Sequence, residues 1–217
     1  MNRISGTVSP VAVPEYALRF PPAADGMRIG LFGGSFNPPH QGHLLVSETV
    51  LNRCRLDFVW WIVTPGNPLK DHGELTPLGE RIARCRALAR HPRIAVTAFE
   101  ARWQMRYTAD TLALLRRRFP KVRFVWIMGA DNLANFHRWQ NWRKIAAMMP
   151  MVVVDRPGST LAYHSARAAV ALQRWRIDET DAELLADLQP PAWTFLHGPR
   201  SSLSSTALRR MATSGRK

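Results

Sequence analysis

Short apolar runs rich in β-branched and aromatic residues alternate with helical stretches between residues 28 and 196, and this alternation admits few folds. The runs are 28–32 (RIGLF), 57–64 (DFVWWIVT), 93–99, 122–128 (VRFVWIM), 151–155 (MVVVD) and 193–196. Strands this apolar are buried on both faces, and helices between them supply the crossovers that parallel pairing requires. One helix begins near Gln41 and carries Leu44, Leu45, Val50 and Leu51 at helical spacing. A second is capped at Thr76 before Pro77, with Leu78, Ile82, Cys85 and Ala89 as its buried stripe. Others are expected over 108–119, with Leu112 and Leu115 inward, over a segment closing at 145–149, over 163–175, and at 204–211 behind a Ser/Thr cap. The expectation is an α/β chain with a Rossmann-like doubly wound parallel sheet, flanking helices and a single domain. Ligands then sit at the carboxyl ends of the strands.

The chain has 217 residues, 46% of them hydrophobic and 21% charged, which suits one real core. Pro10, Pro14, Pro21 and Pro22 break up the first 26 residues, so 1–26 reads as a flexible N-terminal arm rather than a signal peptide, and 27–217 as the domain. Met27, directly before the first strand, is a candidate alternative start. The most apolar stretch, 58–63, is far too short to span a bilayer. Cys54 and Cys85 are the only cysteines and form no CxxC, which argues against a disulfide framework or multi-cysteine zinc site and fits a reducing cytoplasm.

Lys and Arg outnumber Asp and Glu by 30 to 16, a net charge of +14, so the partners should be anionic. Phosphates, nucleic acid and anionic lipid all satisfy that condition. The arginines are dispersed: Arg116, Arg117 and Arg118 crowd a helix C-terminus, where cations suit the dipole, while Arg81, Arg84, Arg86 and Arg90 read as a solvated face opposite the apolar stripe. No nucleic-acid motif accompanies them, and a basic nucleic-acid-binding module stands as the alternative of a different class.

Residues 30–44 (GLFGGSFNPPHQGHL) hold the densest chemistry, at the carboxyl end of the first strand. Gly33 and Gly34 allow close backbone approach to a bulky anion, and Pro38 and Pro39 stiffen the loop. The following helix points its free N–H groups and positive dipole end at the same place. Neither the GxxxxGK[ST] of a P-loop nor the GxGxxG of a dinucleotide fold is present. His40 and His43, three residues apart, share one face of the helix start and offer N–H donors to phosphate oxygens. Alone, such a pair is more often two surface or core histidines, and it lacks a third partner for a metal.

The stretch GGSFNPPHQGHL resembles the [ST]FxPxHxGH signature of the nucleotidyltransferase superfamily, and residues 203–209 (LSSTALR) resemble its second signature. The loop TPGNPLK and the runs YTADTL, GADNLANFHRW and DRPG are most similar to bacterial nicotinate-nucleotide adenylyltransferases, and the likeness extends over residues 27–212. The resemblance implies transfer of AMP from ATP to nicotinate mononucleotide, forming deamido-NAD and pyrophosphate in NAD biosynthesis. Superfamily members acting on nicotinamide mononucleotide or another phosphorylated acceptor are the nearer alternative.

It also implies roles. His40, His43, Lys70 and Arg209 are the catalytic candidates, with His43 donating to the α-phosphate. ATP would meet Gly33, Gly34, Ser35, Phe36, His40 and His43, then Gly129 and Asp131 on the adenosine side. Arg156 would face adenine, and Ser204, Ser205, Thr206 and Arg209 the outer phosphates. Nicotinate mononucleotide would meet Ser35, Phe36, Lys70, Thr108 and Trp139, the last stacking on the pyridine ring. The chain departs from many relatives in reading Asn67-Pro68-Leu69-Lys70 where they have Pro-Pro-His-Lys or Pro-Pro-His-Arg. Mg²⁺ carried with ATP is the implied cofactor, with no dedicated protein metal site; no membrane partner is implied, and homo-oligomerisation is left open.

Overall fold

A computed structural model describes residues 11–66, 75–155 and 165–198. Six strands form one parallel sheet: β1 (Arg28–Gly34), β2 (Phe58–Val63), β3 (Ile94–Thr97), β4 (Arg123–Gly129), β5 (Met151–Val154) and β6 (Trp193–Leu196). Their order is β3-β2-β1-β4-β5-β6, the doubly wound arrangement whose direction of growth reverses between β1 and β4. The register sets Phe32 of β1 beside Trp61 of β2 and Ile127 of β4, so that all three strands end close to the same level.

Alternation along each strand feeds two apolar layers. On β2, Val59, Trp61 and Val63 pack with α1 (Gln41–Arg53) and α2 (Leu78–Leu88), whereas Trp60 and Ile62 face the opposite layer. That second layer is closed by α3 (Phe99–Arg102), α4 (Thr108–Arg118), α5 (Ala130–Phe136), α6 (Trp142–Met148) and α7 (Arg167–Ala171). Adjacent tryptophans therefore serve opposite cores, as a strand buried on both faces demands.

Several expectations are corrected. The cap of α2 is Pro77, in extended conformation (φ −49°, ψ 141°), and the helix begins at Leu78. The backbone of Thr76 is engaged elsewhere: its N–H donates to Asn37 Oδ1 and its carbonyl accepts from Arg81. The third strand is shorter than 93–99, because Phe99 already opens α3. Within 163–175, the described residues do not form one continuous helix: Ala166 is extended and separates Ser165 from α7 over Arg167–Ala171, and a 3₁₀ turn follows at Gln173–Trp175. The helix expected at 204–211 lies outside the described residues.

The stretch expected to be a free arm is docked where it is described. A 3₁₀ turn at Glu15–Leu18 buries Ala17, whose carbonyl accepts from Ala98 N–H at 2.6 Å, and Thr97 Oγ1 donates to the Arg19 carbonyl at 2.8 Å. Phe20 then inserts between Phe99 (ring centroids 4.7 Å apart) and Phe119 (5.5 Å). These contacts cover β3, the edge strand at that side of the sheet.

Candidate active site

The direction of growth reverses between β1 and β4, the place at which doubly wound sheets bind ligands, and the loop from Gly33 to His40 leaves the carboxyl end of β1 there. The loop folds around Phe36, whose backbone lies in the left-handed region (φ 47°). A bulky residue holds that conformation only when its surroundings enforce it. Here the Phe36 ring stacks on Trp61 (centroids 5.0 Å apart, 16°) and meets Phe32 edge-on, leaving it 2% exposed. Opposite, its ring lies 4.8 Å from that of His43.

His40 caps α1 and His43 stands one turn inside it, with ring centroids 3.9 Å apart. The two form a capping box made of imidazoles rather than the usual hydroxyl and carboxylate. His40 Nδ1 accepts the Gly42 N–H at 3.1 Å, and His43 Nδ1 accepts the His40 N–H at 3.2 Å. A ring nitrogen that accepts a hydrogen bond carries no proton, so this pattern assigns the proton of each neutral ring to Nε2. Both histidines therefore present an N–H donor from their far nitrogen. Behind them, Trp61 Nε1 donates to Ser47 Oγ at 2.7 Å and Ser47 Oγ donates to the His43 carbonyl at 2.9 Å, which fixes the helical turn that carries His43. The pair is 4% and 8% exposed, so water competes little with an anion for these donors.

Neither Gly33 nor Gly34 has a positive φ; their need is for space. A Cβ on Gly33 would come within 2.7 Å of Trp126 Cη2, and one on Gly34 within 3.4 Å of the Phe36 ring. Trp126, not singled out in the sequence, thus lies directly under the loop. Its ring meets Trp139 edge-on at 6.3 Å, and Trp139 meets Phe136 at 5.5 Å. An aromatic wall consequently runs from the glycine loop to Trp139. Gly129 caps α5 at the end of β4, and Asp131 stands exposed in the first turn of that helix. Thr108 opens α4, behind an extended Tyr107. Gly129 and Asp131 thus sit where β4 passes into α5, whereas Thr108 opens a helix that follows α3.

Lys70, Arg156, Ser204, Ser205, Thr206 and Arg209 lie outside the described residues. The residue that sequence reasoning misplaced is Arg81: expected on a solvated face, it is 1% exposed and bonded to four backbone carbonyls. The signal was present in the spacing. Arg81 lies three residues after Leu78 and four before Cys85, inside the apolar stripe of α2. Burial pulls its pKa below the ordinary guanidinium value, with Cys85 acting weakly against that shift.

Chemically, the arrangement offers two ring N–H donors at the positive end of a 13-residue helix, and the loop over 33–40 holds neither a carboxylate nor a cysteine. Donors of this kind can hold and polarise an anion.

Comparison with known proteins agrees. A family model described as cytidylyltransferase-like matches residues 31–211. A probable nicotinate-nucleotide adenylyltransferase of Rhizobium meliloti is 65% identical over 183 residues, covering 84% of this chain and 97% of that protein. One of Methylorubrum extorquens is 66% identical over 84% of this chain and 99% of its own. In structure, the nicotinic acid mononucleotide adenylyltransferase of Plasmodium falciparum complexed with NaAD superimposes with a TM-score of 0.64 at 19% identity, over 85% of this chain and 83% of that one, and shares the fold.

Proposed function

This chain belongs to the nicotinate-nucleotide adenylyltransferases of the cytidylyltransferase-like family, and from that premise we propose how its residues carry out the transfer. The reaction moves AMP from ATP to nicotinate mononucleotide. A phosphate oxygen of the mononucleotide attacks the α-phosphorus, the bond from that phosphorus to the β-bridging oxygen breaks, and deamido-NAD and pyrophosphate result. The observation that carries the assignment of roles is the pair of imidazoles capping α1 at the β1–β4 reversal, each with its Nε2–H turned away from the helix backbone.

The nucleophile is a phosphate monoester already ionised at neutral pH, so no general base is needed. What the site must supply is in-line placement and neutralisation of charge growing on the α-phosphoryl oxygens and the departing bridge. His43 donates to the α-phosphate and His40 to a neighbouring phosphate oxygen, with the α1 dipole adding to both. Gly33, Gly34, Ser35 and Phe36 lie against the junction of the two substrates. Gly129 and Asp131 address the adenosine, Thr108 the acceptor's carboxylate end, and Trp139 stacks on its ring. Lys70, Arg156, Ser204, Ser205, Thr206 and Arg209 complete the assignment on the family pattern.

The imidazole nitrogens of His40 and His43 suit phosphate better than a hard cation, so Mg²⁺ carried with ATP would be held by triphosphate oxygens and water rather than by these residues. When bound, it neutralises phosphate charge. Residues 27–217 form the transferase domain in this reading, with 11–26 packed along its edge. No helix of the described residues is long and apolar enough to cross a membrane. The two buried, unbridged thiols Cys54 and Cys85 support a cytoplasmic location. Parallel kinetics with nicotinate and nicotinamide mononucleotides test the substrate assignment. The expected result is a clear kcat/KM preference for the acid; equal or better turnover of the amide would overturn it.

A further inference from the structure

Arg81 reaches three separate pieces of backbone from a fully buried position. Its Nε donates to the Thr76 carbonyl at 2.8 Å, Nη1 to the carbonyls of Ser35 (2.7 Å) and Thr64 (2.8 Å), and Nη2 to that of Pro65 (3.1 Å). Ser35 belongs to the glycine loop, Thr64 and Pro65 to the exit from β2, and Thr76 to the entry into α2. Four of the guanidinium's five N–H donors are thus spent on main-chain oxygens, and no carboxylate is among the groups that perturb it.

Burying a cation without a counter-ion is costly, and an apolar residue at this stripe position would pack α2 with less penalty. The arrangement makes sense through what Arg81 holds. The Ser35–Phe36 peptide immediately precedes the left-handed Phe36. A trans peptide points its C=O and N–H in opposite directions, so fixing the Ser35 oxygen on Arg81 turns the Phe36 N–H away from the buried guanidinium. A second tie runs in parallel, from Thr76 N–H to Asn37 Oδ1 at 3.4 Å. The rigid planar fork of an arginine is what allows one side chain to set the spacing of three strands of backbone; an ammonium on a flexible stem lacks that geometry.

We propose that Arg81 is a positioning residue for adenylyl transfer: its guanidinium locks the Ser35–Phe36 peptide to the Thr64–Pro65 and Thr76 backbone, and so holds the loop in the orientation that receives the reacting phosphates. The inference rests on the adenylyl-transfer reading. Arg81 touches no substrate, and its loss is felt in turnover more than in affinity.

The test uses Arg81→Lys and Arg81→Met, assayed by pyrophosphate release from ATP and nicotinate mononucleotide, with rates normalised to the folded fraction read by near-UV circular dichroism in the cold. Both variants are expected to lose at least ~30-fold in kcat per folded molecule with the KM for ATP held within about threefold, the pattern of lost alignment rather than lost binding. The lysine is expected not to rescue. In Arg81→Ala, added methylguanidinium is expected to recover part of kcat without raising Tm. A kcat per folded molecule within about threefold of wild type in either variant would overturn the proposal, as would a defect confined to KM. So would the absence of any folded fraction in all three variants, since Arg81 would then serve the fold and not the loop. A wild-type protein that releases no pyrophosphate removes the underlying activity instead, and no variant is needed to see that.

Discussion

At the scale of single residues, the chemistry depends on which nitrogen of each imidazole carries its proton. The hydrogen bonds into Nδ1 of His40 and His43 do two things at once: they satisfy backbone donors that a helix start leaves unpaired, and they leave Nε2 as the nitrogen that carries N–H in a neutral ring. Long-range ¹H–¹⁵N spectra of the wild-type protein at neutral pH should show Nδ1 as the unprotonated, pyridine-type nitrogen in both rings. An Nδ1–H tautomer in either ring would break this account of the capping pair. The histidine spacing was legible in the sequence because a three-residue separation at a helix start has one geometric meaning. Arg81 was not read correctly, since charge argued for solvent while its place in the stripe argued for burial. Only the main-chain oxygens that converge on it decide between the two. Gly33 was read as room for an anion; a separate need, invisible in the sequence, is that a side chain there would strike the Trp126 ring.

At the scale of elements, α3 and α4 meet through a buried carboxyl. Glu100 of α3 is 8% exposed, and its Oε1 accepts from Thr111 Oγ1 of α4 at 2.7 Å. Burial pushes its pKa from 4.5 up to about 7, against the lowering effect of the Thr111 hydrogen bond. The folded state thus favours the neutral acid. That stabilisation is complete below pH 4.5 and is lost as pH rises through about 7. The loss amounts to roughly 3 kcal/mol, on the scale of 1.4 kcal/mol per pKa unit. Glu100→Gln cannot ionise, so its Tm relative to wild type should climb between pH 4.5 and pH 8. Parallel Tm curves would show that the carboxyl does not titrate as burial requires. The elements themselves were largely readable: β6 and the start of α1 fall where periodicity put them, because continuous apolar runs and an abrupt cap leave little freedom. The stretch 163–175 was over-read as one helix: its alanines favour helix, but the extended backbone of Ala166 interrupts it among the described residues.

At the scale of the whole molecule, strand order 3-2-1-4-5-6 brings residues far apart in sequence to one edge of one sheet. The loop after β1 and the turn after β4 leave neighbouring parallel strands at their carboxyl ends, so both lie at that edge. Alternation in the sequence was enough to foresee that edge. It could not foresee that residues 14–20 dock across β3, because proline-rich composition reads as a loose arm until Phe20 finds the Phe99–Phe119 niche. Nor does composition separate a surface for nucleic acid from one for nucleotides; the +14 charge fits either. Paired donors over a preorganised loop decide for small phosphates, and the most direct measurement is pyrophosphate release from ATP and nicotinate mononucleotide by wild type and His43→Ala. The account predicts a loss of well over a hundredfold in kcat, about 3 kcal/mol or more, with the folded state retained. A His43→Ala enzyme that turns over within tenfold of wild type would contradict it.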